Sequence, residues 1–353
     1  MSRNKLFILM LIMFLSLALI IGCGGDNGDE AVADPDEADV DLDDEEEDDD
    51  SRDDAAQEDV EIDIVVGFGA GGSNDLSARY LAQALSDYGI TANVINMPGG
   101  MGTEAAYHVS NQSPDANMFM WGSGLIMLFE PAAGDRGFTI HDFEPVATIA
   151  GPTFALAAKA GVPYETLEEL ITYIEENPGE VVLGGQGEGN SMHFIVEKIL
   201  PPDELDYTYV GLAGGADVAL NLTGGHVDLG HLSLAAARPL HQDGDLTVLV
   251  NTQALVERDP LMPEIPNVIE FGIDARETHS PLALFGPQGT DEGLKQRISE
   301  AMEQIAQDED FIQSYQDLGV VAHYLNTDET WDFFMDIEEN LIPEFEAWLD
   351  SNY

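Results

Sequence analysis

The chain predicts an α/β fold with mostly parallel sheets. Two observations carry that prediction. Units in which a short strand runs through a glycine-rich loop into an amphipathic helix recur along residues 61–353, with no fixed-period repeat. The 353 residues are 44% hydrophobic and 8% aromatic, enough for a sizeable core and, by length, two folded units.

The elements follow in order. Ile62–Val66 is a short β-branched strand, and GFGAGGSND at 67–75 leads from it into a helix reaching Tyr88. Leu76, Tyr80, Leu81 and Leu85 share one face of that helix; Ser73 or Asn74 is placed to cap its start and Gly89 its end. Ala92–Ile95 reads as the second strand, NMPGGMGTE at 96–104 as a glycine loop opening another helix, and Met118–Trp121 as the third strand. A helix over Leu167–Asn177 is stopped by Pro178-Gly179. Strand Val181–Leu183 then enters GGQGEGNSMHF at 184–194, and the next helix ends at Pro201-Pro202. A C-terminal helix carries Trp331, Phe333, Phe334, Phe345 and Trp348 as packing aromatics. In open α/β sheets ligands bind at the carboxyl ends of the strands.

Charge excludes more than length does. The formal net charge is −56, from 68 Asp+Glu against 12 Lys+Arg. Nucleic acids and anionic lipid headgroups need clustered cations and are repelled by such a chain, so no nucleic-acid partner is expected. Residues 24–60 hold 20 of the acids, including DLDDEEEDDD at 41–50, and too few apolar residues to offset the entropy of ordering. This stretch reads as an acidic disordered tether. Residues 61–353 still carry 48 acids against 9 Lys/Arg, a pattern that suits high salt, where repulsion is screened within roughly 3 Å at 1 M.

The N-terminus reads as an export signal. Arg3 and Lys5 precede the apolar stretch LFILMLIMFLSLALIIG at 6–22, which ends at Cys23. Ile20-Ile21-Gly22-Cys23 resembles the lipobox of bacterial lipoproteins, which implies lipidation of Cys23, the single cysteine of the chain. The competing reading is an uncleaved membrane helix. Either places the folded part outside the cytoplasm, in the periplasm or at the cell surface, with lipid or helix as its membrane contact.

Two loops carry the chemistry. In 67–75 and in 184–193 a strand runs into several glycines and then into Ser or Asn at a helix start. Glycines allow a ligand close to main-chain N–H groups, and the helix start adds unpaired amides and the positive end of the dipole. Such a site suits a carboxylate or phosphate without any arginine. Two of them, one from each α/β unit, can clamp the two ends of one small dianion.

Competing motifs fail on the same residues. Gly67, Gly69 and Gly72 satisfy G-x-G-x-x-G, but the second strand ends at Ile95-Asn96 without the acidic residue a dinucleotide site needs. No P-loop and no G-x-S-x-G elbow occurs. Ser191 and His193 are two apart at a helix start and cannot face each other as nucleophile and base. His226, Asp228 and His231 match no standard metal spacing. No enzyme activity, cofactor or metal is expected.

The stretch IDIVVGFGAGGSNDLSARYLAQAL at 62–85 resembles the start of the extracytoplasmic binding proteins of tripartite tricarboxylate transporters, the Bug family. The resemblance continues through NMPGGMGTEAA at 96–106, SPDANMFMWGS at 113–123, FEPVATIA at 143–150, GQGEGNSMHF at 185–194, TGGHVDLG at 223–230, ERDPLMPEIPNVIEFGI at 257–273 and LALFGPQGT at 282–290. It implies a two-lobed periplasmic-binding-protein, or Venus flytrap, architecture. Residues 61–158 with 280–353 would form the first lobe and 159–279 the second.

The same resemblance places Phe68, Gly71, Gly72, Ser73, Asn74 and Asp75 in the first ligand loop. Gly187, Gly189, Asn190, Ser191 and His193 fall in the second. Asp75 would hold water or a ligand amine, or simply stabilise the helix dipole; Ser73 and Ser191 are capping residues or ligand contacts, and Phe68 a ligand contact or core. Three departures stand out. Gly67 replaces a usual proline, Gly185 stands where serine is common, and Leu212-Ala213 replaces a Tyr-Lys pair before Gly214-Gly215. The expectation is a monomeric, lipid-anchored binding protein that delivers a small organic carboxylate to a membrane permease, or else presents it to a signalling partner.

Overall fold

The structure, a computed structural model, describes residues 59–252, 258–273 and 281–353. The expected signal segment, Cys23 and all but the end of the acidic tether lie outside the described residues. Among the described residues no helix is long and apolar enough to cross a membrane.

The chain opens with β1 (Val60–Val66), α1 (Ser73–Leu85), β2 (Ile90–Asn96), α2 (Thr103–Ser110), β3 (Met118–Ser123) and α3 (Gly124–Ala133). β1 pairs in parallel with β2 on one side and β3 on the other. After a 3₁₀ turn, α1 is closed by Gly89 at φ 67°, left-handed as a glycine C-cap requires. The start differs from expectation: Gly72 is the N-cap, and Ser73 and Asn74 lie inside the first turn.

β4 (Phe143–Pro152) then runs almost straight into β5 (Phe154–Lys159), with Thr153 between them. β4 belongs to the first sheet and β5 to the second, so the chain changes sheets at Thr153. The lobe boundary expected at 158/159 thus falls inside β5. Thr153 is buried and its hydroxyl donates to Asp259 Oδ2 at 3.1 Å, which satisfies the polar side chain where the backbone crosses.

The second sheet repeats the plan of the first. After α4 (Leu167–Glu176) come β6 (Val182–Gln186), α5 (Ser191–Ile199), β7 (Thr208–Leu212), α6 (Gly215–Thr223), β8 (Leu229–Ser233), α7 (Leu234–Asp243) and β9 (Leu246–Asn251). The chain returns through β10 (Leu282–Pro287) to the first sheet. It ends with α8 (Glu292–Ile305), α9 (Glu309–Asp317), β11 (Val320–Leu325), α10 (Thr327–Asn340) and α11 (Ile342–Asn352).

The strand orders are β2-β1-β3-β10-β4-β11 and β7-β6-β8-β5-β9. Each sheet contains a parallel trio with the first strand of a βαβαβ unit in the middle. Beside each trio sits an antiparallel strand that has just arrived from the other sheet: β10 against β3, β5 against β8. The sheets are therefore mixed. The parallel expectation holds in the trios, whose crossover helices force it, while the strands around the crossings join antiparallel.

Helices cover both faces of each sheet. Leu81 and Leu85 of α1 pack with Ile298 and Met302 of α8 on one face of the first sheet, and Met127, Phe129, Phe334 and Ile337 on the other. In the second sheet Leu170, Ile174, Ile195 and Val196 oppose Val218, Leu222 and Ala237. Two bonds lock α1 in place: buried Trp121 donates Nε1–H to Ser77 Oγ at 3.1 Å, and the Tyr315 hydroxyl donates to the Ser77 carbonyl at 2.9 Å. The C-terminal aromatics lie on two helices, because the chain breaks at Leu341 ahead of Pro343 in the first turn of α11. Phe334 and Phe345 are buried in the first-sheet core, as expected. Trp348 goes further and donates Nε1–H to Glu197 of α5 at 2.5 Å, so α11 bridges the two lobes.

Candidate functional site

Both glycine loops leave the carboxyl end of the central strand of a parallel trio. Each loop sits where the chain turns first to one neighbour and later to the other, the place where open α/β sheets bind ligands. The duplicated topology puts them in equivalent positions of the two sheets.

The first junction is anchored by charge. Asp75, 2% exposed, accepts the Gly71 amide at 2.8 Å, Arg79 Nε at 3.0 and 3.1 Å and Asn96 Nδ2 at 2.8 Å. The Arg79 guanidinium, with the Gly71 amide and Asn96, lowers the carboxyl from 3.8 to about 2, against the opposing effect of burial. Asn96 also donates to the Phe68 carbonyl at 3.1 Å and accepts from Arg79 at 3.1 Å. Asp75 thus holds the loop together, with both oxygens taken by its own lobe. Gly71 stands at φ 84°. No side chain caps α1, so the amides of Ser73, Asn74 and Asp75 have no partner from a cap or from the helix. Gly69, Gly71, Gly72 and Ser73 are exposed, and Phe68 is half-buried.

The third glycine loop presses on this one. A Cβ on Gly67 would lie 2.6 Å from Gly102 Cα. That close approach gives a physical reason for glycine where the family usually has proline.

The second junction is anchored differently. Asn190 caps α5: its Oδ1 accepts the His193 amide at 3.0 Å and its Nδ2 donates to the Gln186 carbonyl at 2.9 Å. Gly187 (φ 80°) and Gly189 (φ 68°) shape the turn. Their amides are used internally, Gly187 on the Leu212 carbonyl at 2.9 Å and Gly189 on His193 Nδ1 at 3.3 Å. Because Nδ1 accepts, the neutral ring carries its proton on Nε2, which lies 3.1 Å from Glu197. Burial lowers the His193 pKa, partly opposed by Glu197 and Glu188. The ring stacks on Tyr209 at 3.6 Å, and the Tyr353 hydroxyl meets Nδ1 at 3.2 Å. His193 is 5% exposed and turned inward, a prop for the loop. Ser191 and Met192 keep unpaired first-turn amides.

Tyr209 also explains Gly185. Its hydroxyl donates to the Gly187 carbonyl at 2.8 Å, and a Cβ on Gly185 would fall on that hydroxyl. Leu212 joins the second-lobe core, while Ala213 is exposed at the end of β7.

The sequence reading missed Arg79, Asn96, Tyr209 and Tyr353 as residues that shape the junctions. The Asp75/Arg79 spacing of four was the one available signal; the others depend on contacts between distant segments. Metal-like residues separate: Asp228 pairs with Lys159 at 2.5 Å, and His231 Nε2 meets Thr252 Oγ1 at 3.1 Å. Lys198 and Lys295 are likewise paired, with Glu344 and with Glu144 and Glu292. A groove of about 490 Å³ between α1 and α9, lined by Tyr80, Tyr88, Asp87 and Phe311, flanks the far end of α1 from the glycine loop.

Known proteins share this fold. Residues 77–342 match the model of the tripartite tricarboxylate transporter family receptor, TctC. The chain is 26% identical over 269 residues to the UPF0065 protein in the gbd 5′ region of Cupriavidus necator, covering 76% of this chain and 81% of that protein. It superposes on a TctC solute-binding protein from Polaromonas, solved without ligand, with a TM-score of 0.70 at 21% identity, covering 82% of this chain and 98% of that one. It also superposes on R. palustris Rpa4515 with adipate, with a TM-score of 0.68 at 24% identity and coverage of 81% and 97%. At these identities the solved structures show the shared fold.

Proposed function

Because the chain belongs to the tripartite tricarboxylate transporter receptor family, whose members are extracytoplasmic solute-binding receptors, we propose that it captures a small organic carboxylate between its two lobes and delivers it to a tripartite tricarboxylate-type permease. The observation that carries this reading is the pair of glycine junctions at equivalent places in two topologically duplicated sheets, each offering first-turn amides. Amides aimed from a helix start hold a carboxylate without spending a cation, which suits a chain with few to spare.

Residues 61–152 with 282–353 would form one lobe and 154–251 the other, with the crossing at Thr153 as a hinge. Gly72, Ser73, Asn74 and the amide of Asp75 would meet one end of the ligand. Ser191 and the neighbouring amides of α5 would meet the other. Phe68, Gly71, Gly187, Gly189, Asn190 and His193 would set the shape of the two loops. Closure follows from differential contacts: the ligand bridges both junctions only when the lobes are shut. We further propose that the protein works as a monomer, that lipidated Cys23 anchors it to the membrane through the acidic tether, and that its acidic surface is an adaptation to high salt.

A thermal-shift screen of the full-length protein in molar KCl tests the reading, against succinate, malate, citrate, adipate, glutamate and aromatic acids. A ligand that binds the folded state alone stabilises it by roughly 2.7 kcal/mol at a hundredfold over its dissociation constant. A saturable shift with one acid supports the proposal; no shift with any of them, in folded protein free of co-purified ligand, rejects it.

A further inference from the structure

The loop after β2 places an exposed methionine beside the first junction at a conformational cost. Gly100, Met101 and Gly102 have φ of 52°, 60° and 100°. Left-handed backbone is disfavoured for any residue with a Cβ, and such strain persists where the surroundings impose it, often at ligand sites. Met101 bears that strain while 64% exposed, so core packing does not explain the choice of residue.

Its neighbours place it. Val66 and Asn96 are register partners, so the loops after β1 and β2 leave the same sheet edge side by side. Gly102 lies against Gly67, and a Cβ on it would stand 3.7 Å from the Phe68 ring. The equivalent loop of the second sheet, after β7, has only the exposed Ala213 ahead of Gly214-Gly215, so a large exposed apolar residue in this loop is particular to the first sheet. Arg79, the cation at the first junction, is already held by Asp75 and Asn96. Amides are therefore available for a carboxylate, and beside the polar cluster of Asp75, Arg79 and Asn96 the first junction carries apolar surface from Phe68 and Met101.

We propose that the ligand is a carboxylate with an apolar body, a methylene chain or a ring, and that Met101 is the residue that selects it by covering that body. The inference rests on the carboxylate-binding function proposed above. A ligand hydroxyl or a third carboxylate brought against the thioether would lose its water and gain no comparable partner.

Calorimetric titration of the full-length protein with adipate, malate and citrate tests this, using the unaltered chain, Met101→Gly and Met101→Ala. The unaltered protein should bind adipate roughly tenfold or more tightly than malate or citrate. Both variants should lose roughly tenfold for adipate and change by less than about twofold for any measurable malate or citrate binding. Met101→Gly should also melt at a higher temperature, because glycine relieves the left-handed strain, whereas Met101→Ala keeps it. Weaker adipate binding in a more stable protein does not come from a destabilised fold, and the matching loss in Met101→Ala, which keeps a Cβ in the loop, separates the lost side chain from added loop freedom. A preference for malate or citrate in the unaltered chain, or unchanged adipate affinity in both variants, overturns the inference and leaves carboxylate binding standing. Failure of every acid in the thermal screen to bind rejects the proposed function and this inference with it.

Discussion

The two glycine junctions have the same topology and opposite support. The first is held by an ion pair and an amide side chain, Arg79 and Asn96 converging on Asp75, and the start of its helix has no cap. The second is capped by Asn190 and propped by a stack of His193 on Tyr209, with Tyr353 reaching in from α11. Where the cap is missing, three first-turn amides lack a cap or helix partner; where Asn190 takes the His193 amide, two do. Under the proposed function, the first junction would give more hydrogen bonds to the ligand and the second would depend more on its side-chain packing for its shape.

Glycine substitution tests that difference most sharply. Around Gly71 a new Cβ would meet open space, so Gly71→Val costs the fold left-handed strain alone, about 1–2 kcal/mol. At Gly189 it would also meet the Tyr353 ring at 3.2 Å. Both variants should weaken carboxylate binding about a hundredfold or more in calorimetric titration, and Gly189→Val should lose more stability of the two. Unchanged affinity in both would end the two-junction clamp.

Asp75→Ala should produce the largest change in stability. It strands the Gly71 amide and removes the acceptor that Arg79 and Asn96 share, leaving those two only each other and the Phe68 carbonyl, for a loss of about 2–3 kcal/mol in urea denaturation. The sign of the pH effect follows from the lowered pKa. The ionised carboxylate stabilises the fold fully above its unfolded value of 3.8, and that contribution is lost as pH falls towards about 2. Asp75→Asn should therefore flatten the acid limb between those values.

Much of the fold was legible, because its signals are local. Gly89, Pro178-Gly179 and Pro201-Pro202 end helices where turn chemistry places them, and β1, β2, β3 and β6 grow from the apolar runs that announced them. The candidate site is legible in the sequence as two glycine loops, but the support of each loop is not. Asp75 reads as a holder of water or a ligand amine, or as a first-turn acid on the helix dipole, and its partners Arg79 and Asn96 show only in the fold. His193 reads as a ligand contact until Gly189, Tyr209 and Tyr353 close around it. Those partners lie on other elements, some more than a hundred residues away, and no local pattern reports them. Gly72 displaced Ser73 and Asn74 as the cap for a related reason: the Asp75 cluster decides where the turn begins.

The second lobe should respond to acid earlier than the first junction. His231 is buried beside Phe154 and Thr252, and burial lowers its pKa from 6.5 to about 4. A base whose pKa is lowered on folding stabilises the folded state fully above its unfolded value, and that stability is lost as pH falls through 6.5 towards 4. Burial shifts His193 the same way. Denaturation midpoints should thus begin to fall below pH 6.5, above the window in which Asp75 titrates. His231→Gln should remove on the order of 2 kcal/mol of that dependence between neutral pH and 5. An identical slope in the variant would assign the early loss elsewhere.

Asn190→Ala probes the cap itself. It should cost about 1 kcal/mol of stability, since the His193 amide and the tie to the Gln186 carbonyl both lose their partner. Ser73→Ala at the first junction should be nearly silent in the same measurement, because no cap bond depends on it. A comparable loss at both positions would mean that the two helix starts are stabilised alike.

Tyr353→Phe should have the smallest effect and the most specific one. The ring stays over Gly189, while the hydroxyl contact with His193 Nδ1 is lost. His193 keeps the Gly189 amide as donor, and Tyr353 is 65% exposed, so water replaces much of the lost bond. A loss of about 0.5 kcal/mol is expected. The bond links α11, which packs in the first-lobe core through Phe345, to the loop of the second lobe. If closure carries α11 with the second lobe, the substitution should leave carboxylate affinity unchanged within about 1.2-fold. If closure instead breaks the contact, affinity should rise about twofold, the factor that about 0.5 kcal/mol allows, because only the state that makes the bond is weakened. Titration of this one variant tells which lobe the C-terminal helix follows.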